Sequence, residues 1–166
     1  MLWEAGDSAG AAVWIAPHGP HGAEHALVRT VDQLAEDPAR CRSFWDWVGS
    51  MTPKEPMWVL DHVGVDPNRQ GSGIGTALVN FGLARAAEGG VAAYLEAGNP
   101  RNVPYYERLG FSVFAHADAP DGGPHIWFMR CETPGAERFG CGTITRPVVN
   151  RENEEPLSKA PPTVRP

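Results

Sequence analysis

The sequence predicts an α+β domain built on a mixed sheet. Three observations point there. Two short apolar runs flank a Gly/Asp/Ser tract at the front, strand-like runs alternate with amphipathic helical segments in the middle, and a second hairpin pattern closes the back. At 166 residues, 42% of them hydrophobic, the chain has one domain's worth of length and enough apolar surface for a core. The 19 glycines and 16 prolines stay below the roughly 25–30% expected of low-complexity chains.

The front hairpin is expected from residues 1–4 and 11–15, joined across Gly6, Asp7, Ser8 and Gly10. The His- and Pro-rich stretch from Pro17 to Gly22 reads as loop. Leu27, Val31 and Leu34 recur at helical spacing, so a helix is expected over residues 24–37 until Pro38 interrupts it. A second amphipathic helix follows, with Cys41, Phe44, Trp45 and Val48 on one face and an end near Gly49. Trp45 and Trp47 are expected to serve core or lid packing. After a Pro-rich link, residues 57–65 read as a largely buried strand. A helix over residues 73–88 carries Ile74, Ala77, Leu78 and Phe81 on one side and stops at Gly89-Gly90. Residues 91–97 form the next strand. A short helix over residues 102–109 has Asn102 as its cap, Pro104 in its first turn and Gly110 as its stop. Residues 111–117 and 125–131 make the final hairpin around Pro120-Asp121-Gly122-Gly123-Pro124.

Composition excludes several classes of function. A net charge of −6 does not give the basic footprint of a non-specific nucleic-acid binder. Cys41, Cys131 and Cys141 form no paired framework and no zinc spacing. His18, His21 and His25 have only Glu24 near them as a further ligand type, so no metal site is expected. The sequence holds no run of about 18 apolar residues and no basic-plus-apolar leader. A soluble cytoplasmic protein without membrane or nucleic-acid partners is the expectation.

The segment that carries chemistry runs Val63-Gly64-Val65-Asp66-Pro67-Asn68-Arg69-Gln70-Gly71-Ser72-Gly73-Ile74-Gly75-Thr76. A strand, a polar turn and three alternating glycines open an amphipathic helix. Such a start exposes backbone N–H groups, where an anion gains about 0.3–1 kcal/mol from the helix dipole. Each glycine inside a helix costs about 0.8–1.0 kcal/mol against alanine, so two or three at one helix start suggest close approach of a phosphate, with a plain strand-to-helix turn as the alternative. The dinucleotide fingerprint fails at Thr76, and the P-loop fails because no lysine lies between Lys54 and Lys159. A kinase loop would cover its phosphates from a hairpin.

Gln70-Gly71-Ser72-Gly73-Ile74-Gly75 resembles the pyrophosphate loop of the GNAT N-acetyltransferase superfamily, of form Arg/Gln-x-x-Gly-x-Gly/Ala. Tyr94-Leu95-Glu96-Ala97-Gly98-Asn99 and the run from Asn102 to Phe111 resemble that family's fifth strand and its Asn-x-x-x-Tyr-Glu-Lys-Leu-Gly-Phe helix. The resemblance covers residues 57–132. The strand before Gly64-Val65-Asp66-Pro67 and the closing Trp127-Phe128-Met129-Arg130 look most like the puromycin acetyltransferase-like group.

The resemblance implies a GNAT fold, with a mixed, mostly antiparallel central sheet flanked by helices. It also implies acetyl-CoA as acyl donor and a primary amine of a small molecule as acceptor. By position, the backbone of Val63 and Val65 would bond the pantetheine arm between two splayed strands and polarise the thioester. The stretch Gln70, Gly71, Ser72, Gly73, Ile74, Gly75 and Thr76 would hold the pyrophosphate. Asn99 and Asn102 would contact the thiol end of the cofactor. Tyr106 matches the family tyrosine that protonates the departing thiolate, although it shares a helical face with Val103 and Leu109 that also suits a core. Tyr105 points about 100° away and reads as packing. Strict alternation places Val59, Asp61, Val63 and Val65 on one strand face and His62 on the other, which makes Asp61 one candidate base and Glu96 the other.

A complete family domain starts with a strand and two helices before the first hairpin, and these look to be missing, so the domain reads as N-terminally shortened. The GNAT domain is expected over residues 1–132, with its cofactor-binding half at residues 57–132. Residues 133–166 form an extension, disordered from about residue 150. An exposed edge at residues 1–4 invites homodimerisation. Two functions stay open: an N-acetyltransferase acting on a small amine, and a catalytically impaired acyl-CoA-binding module.

Overall fold

The computed structural model describes residues 2–5, 9–17 and 35–132. Six strands form one sheet in the order β1-β2-β3-β4-β6-β5. They are β1 (Leu2–Ala5), β2 (Gly10–Ile15), β3 (Trp58–Val65), β4 (Ala93–Ala97), β5 (Ser112–Asp118) and β6 (His125–Cys131). Neighbours pair antiparallel except β3 and β4, which run parallel. The helices are α1 (Pro38–Met51), α2 (Ile74–Glu88) and α3 (Val103–Arg108). The helix expected over residues 24–37 lies outside the described residues except for 35–37, which precede α1. His18, His21, His25, Cys141 and the extension from residue 133 also lie outside them.

Helices cover both faces of the sheet. On one face Leu78, Val79 and Leu83 of α2, with Tyr106 of α3, pack on Trp14, Leu60, Leu95 and Met129. On the other, Val48 of α1 packs with Tyr94, Ile126 and Phe128, joined by Phe44, Trp47 and Met51. β4 shows why its sequence is almost continuously apolar: Ala93, Leu95 and Ala97 serve the first core and Tyr94 the second.

The Asp37 side chain accepts a bond from the Arg40 amide at 3.0 Å and caps α1, and Pro38 occupies the first turn. The helix is turned from its expected face. Phe44, Trp47, Val48 and Met51 face the sheet at i, i+3, i+4 and i+7, whereas Trp45 is exposed. In α2 the buried side is Leu78, Val79, Gly82, Leu83 and Ala86, so Ile74 and Phe81 lie at its margin rather than its centre. Gly82 is there for space: a Cβ would sit 2.0 Å from Cε2 of Trp14. The Trp14 indole sits against the helix at Gly82 and donates to the Leu78 carbonyl at 3.4 Å. Asn102 precedes α3 with helical backbone angles and makes no side-chain cap, so its expected capping role is not fulfilled.

Two irregularities shape the middle of the sheet. β3 and β4 pair only at Trp58↔Ala93 and Val59↔Tyr94; beyond those positions the strands diverge. Opposite β2, the register jumps from Val13↔His62 to Trp14↔Leu60, leaving Asp61 as an extra residue in a β-bulge. The bulge overturns the strict alternation expected of β3. Val59 packs toward α1, but Val63 packs toward α2 and α3. Val65 also faces α2, with a methyl 3.5 Å from the position a Cβ on Gly75 would take.

Candidate active site

The turn from β3 to α2 is built from its own backbone. Asp66 accepts from the Asn68 amide at 2.8 Å and caps a short 3-10 turn, Pro67–Arg69. Gln70 reaches back to donate to the Val65 carbonyl at 3.3 Å, and the Ser72 hydroxyl donates to the Arg69 carbonyl. Gly71 and Gly73 have φ of +76° and +86°, the left-handed region that glycine tolerates, with no heavy atom within 4 Å of a built Cβ. Gly73 is the cap of α2 and supplies no side-chain bond, so no capping side chain occupies the first amides of the helix. Gly75 differs. A Cβ there would meet the Tyr105 hydroxyl at 3.3 Å, so this glycine serves packing between α2 and α3. The expected anion loop is thus one contiguous surface from Gln70 to Thr76, lying at the end of β3 that has diverged from β4.

Asp61 and Glu96 lie near enough across that divergence to interact electrostatically. Burial pushes the Glu96 carboxyl up from its ordinary range, the negative charge of Asp61 adds to the rise, and hydrogen bonding with Tyr94 and Thr52 opposes it. Asp61 accepts from Nδ1 of His62 at 2.9 Å. Tyr94 is fully buried, and its phenol is raised first by burial and then by the neighbouring Glu96. Its hydroxyl lies 3.3 Å from Oγ1 of Thr52, the residue that ends α1.

Asn99 and Asn102 follow β4. The Asn99 side chain accepts from the Arg101 amide at 3.0 Å, and its carbonyl accepts from the Asn102 amide at 3.0 Å, so Asn99 shapes the turn into α3. Tyr106 is buried in the α2/α3 core, its ring edge-on to Tyr105 and Phe111 at 5.1 and 6.0 Å. Burial raises its phenol above the usual range, as does Tyr105 beside it. The structure therefore gathers Gln70–Thr76, Val65 and α3 at one place, and Asp61 with Glu96 at another beside it. Thr52 and Tyr94 went unnoticed in the sequence. Tyr94 was findable, because i and i+2 share a strand face. Thr52 carried no signal, since its partner is 42 positions away.

Residues 39–111 match the model of the Acetyltransferase (GNAT) family, a family whose members generally use acetyl-CoA. Among curated proteins, a mycothiol acetyltransferase of Propionibacterium freudenreichii subsp. shermanii is 45% identical over 64 residues, covering 37% of this chain and 20% of the relative. A mycothiol acetyltransferase of Kocuria rhizophila is 38% identical over 88 residues, covering 50% and 29%. The matches thus span about a fifth to under a third of those relatives' length. Among solved structures, a Corynebacterium glutamicum protein described as "histone acetyltransferase HPA2 and related acetyltransferase" superposes with TM-score 0.52 at 31% identity, covering 75% of this chain and 57% of that one. No helix among the described residues is long and apolar enough to cross a membrane.

Proposed function

We propose that this domain transfers the acetyl group of acetyl-CoA to a primary amine of a small molecule by direct attack. The observation that carries the reading is the divergence of β3 from β4 beside the uncapped, glycine-bearing start of α2. The diverging strands leave backbone donors and acceptors for an extended arm, and the α2 start offers amides to a pyrophosphate. The residues fit such a group, because Gly71 and Gly73 put no side chain in its way.

Acetyl-CoA supplies an activated thioester, whose carbonyl carbon accepts the amine nitrogen while its C–S bond breaks. The chain's part is to hold and to move protons. The Gln70–Thr76 loop binds the diphosphate, and the backbone of Val63 and Val65 orients the arm and polarises the carbonyl. Glu96, with Asp61 beside it, takes the proton that an ammonium must lose before attack. Tyr106 gives its phenolic proton to the leaving thiolate and is reprotonated by the second proton that the attacking nitrogen sheds on becoming an amide, and Asn99 and Asn102 flank the thiol end. The names of the relatives make mycothiol-type acceptors the first to try.

The test is thiol release from acetyl-CoA across a panel of amines, run beside a thermal-shift titration with acetyl-CoA. At a hundred times Kd the expected stabilisation is about 2.7 kcal/mol. Stabilisation without turnover on any amine would favour a binding module over an enzyme. Absence of stabilisation at millimolar acetyl-CoA would overturn the reading. Gly73→Val should weaken acetyl-CoA binding at least tenfold, since a β-branched residue is strained at positive φ; unchanged affinity would remove the loop from the cofactor site.

A further inference from the structure

We infer that His116 and His125 form a two-histidine site for a divalent transition-metal ion of the kind imidazole prefers, such as Zn2+, with Asp118 as the positioning residue of the pair. The site lies on the β5–β6 hairpin and shares no residue with the proposed acetyl-transfer machinery.

The hairpin supplies the juxtaposition. His116 and His125 are nine positions apart, yet Nδ1 of His116 stands 3.2 Å from Nε2 of His125. The register explains this. Trp127 lies opposite His116 and Asp118 opposite His125, so the two imidazoles are diagonal neighbours on one face of the sheet. The His125 ring is held between two others, at 4.4 Å from Trp127 and 5.3 Å from His116. Its second nitrogen, Nδ1, lies 2.7 Å from Oδ1 of Asp118.

That last bond sets the chemistry. An ionised carboxylate only accepts, so Nδ1 of His125 carries the proton and Nε2 presents a lone pair toward His116. Pairing of this kind fixes the tautomer of a metal-binding histidine and raises its basicity. The spacing suits an ion as well. Two nitrogens about 2.0–2.1 Å from one tetrahedral zinc stand roughly 3.3 Å apart, close to the 3.2 Å found. Without an ion, His116 must keep a proton on Nδ1 to bridge the gap. With one, that proton passes to Nε2 of His116 or to water, and both lone pairs face the metal. His116 is exposed, so its ring has room for the turn this needs, while the ladder between the strands holds both backbones.

Among the described residues no third His, Cys, Asp or Glu joins the pair as a ligand. The ion therefore keeps positions for water or an outside donor, unlike a closed four-ligand structural site. Neutral imidazole suits zinc, nickel and copper, whereas magnesium and calcium take oxygen ligands.

The experiment is a nitrogen-15 NMR titration of the imidazoles in the unaltered protein with Zn2+, with Mg2+ as control. Reading by atom keeps this pair apart from the rest of the chain's six histidines, and signals are assigned by their loss in His116→Gln and His125→Gln. Nδ1 of His116 and Nε2 of His125 should shift together in one binding step, and Mg2+ should move neither. His116→Gln should weaken the step at His125 at least tenfold. Asp118→Ala should weaken it about 10–100-fold, the usual cost of losing such a partner, and should release His125 from its Nδ1–H tautomer. A shift at one nitrogen alone, or at neither in millimolar Zn2+, would overturn the site, as would equal affinity in His116→Gln. Unchanged affinity and tautomer in Asp118→Ala would overturn its positioning role. Should His125→Gln fail to fold, His116→Gln decides, because its side chain is exposed and its loss leaves the core intact.

Discussion

At the scale of single residues, the proposed site divides into groups that would act through backbone and groups that would act through side chains. Tyr106 is the sharpest case of a residue suited to two roles, since its ring belongs to the α2/α3 core. Tyr106→Phe keeps that ring and removes only the hydroxyl. Turnover should fall by roughly 100-fold, the usual scale of acid catalysis, with KM for acetyl-CoA within about twofold; equal rates would return Tyr106 to packing alone. Glu96 gives a prediction of opposite sign for stability. Burial raises its folded-state titration above that of the unfolded chain, so its stabilising share is present at low pH and is lost as pH rises through the folded value. Glu96→Gln should therefore melt no lower than the unaltered protein at pH 8, the difference vanishing below pH 4. A lower melting temperature at pH 8 would contradict that sign. The loop from Gln70 to Thr76 was legible in the sequence because backbone amides need only glycines and a helix start to be exposed. The Thr52–Tyr94 contact was not legible, since packing of α1 on β4 creates it.

At the scale of elements, single residues decide how strands and helices meet. The bulge at Asp61 is one extra residue, yet it moves Val63 and Val65 to the face opposite Val59. Alternation alone could not reveal it, because a bulge has no fixed residue signature in one strand and depends on its partner's register. Element order and most boundaries were legible, since apolar period and Gly/Pro punctuation are local. The face of α1 was read one position off at Trp45, because an aromatic contributes equally to any apolar stripe that includes it. Gly82 shows the tightest fit between elements. Gly82→Ala would drive a methyl into the Trp14 indole and should cost about 1–3 kcal/mol as an overpacked core does. Denaturant unfolding measures this, and a stabilised variant would mean that Trp14 moves aside freely.

At the scale of the whole molecule, the sheet is the common frame for everything the site uses. α2 and α3 bring the glycine loop and Tyr106 to one face, while α1 brings Thr52 to the other. The two carboxylates sit where the sheet opens between those layers. Amide exchange read by mass spectrometry tests the arrangement globally. Acetyl-CoA should slow exchange in peptides covering residues 60–65, 71–77 and 95–97, leaving the β5–β6 hairpin unaffected. Protection confined to the hairpin would place the cofactor elsewhere.

The parting of β3 from β4 carries one more consequence. An ordinary open sheet has two rims, and these are guarded by charge, bulges or covering loops. This sheet has a third rim in its interior, where β3 and β4 stop pairing after two positions. Such a seam is a template for any extended chain, so the free protein is exposed there to invasion by a foreign strand. Acetyl-CoA, lying where a seventh strand would lie, would seal the seam. If acetyl-CoA binds there as proposed, it would guard the seam as well as react, and starving the protein of it should promote aggregation that begins in the middle of the sheet.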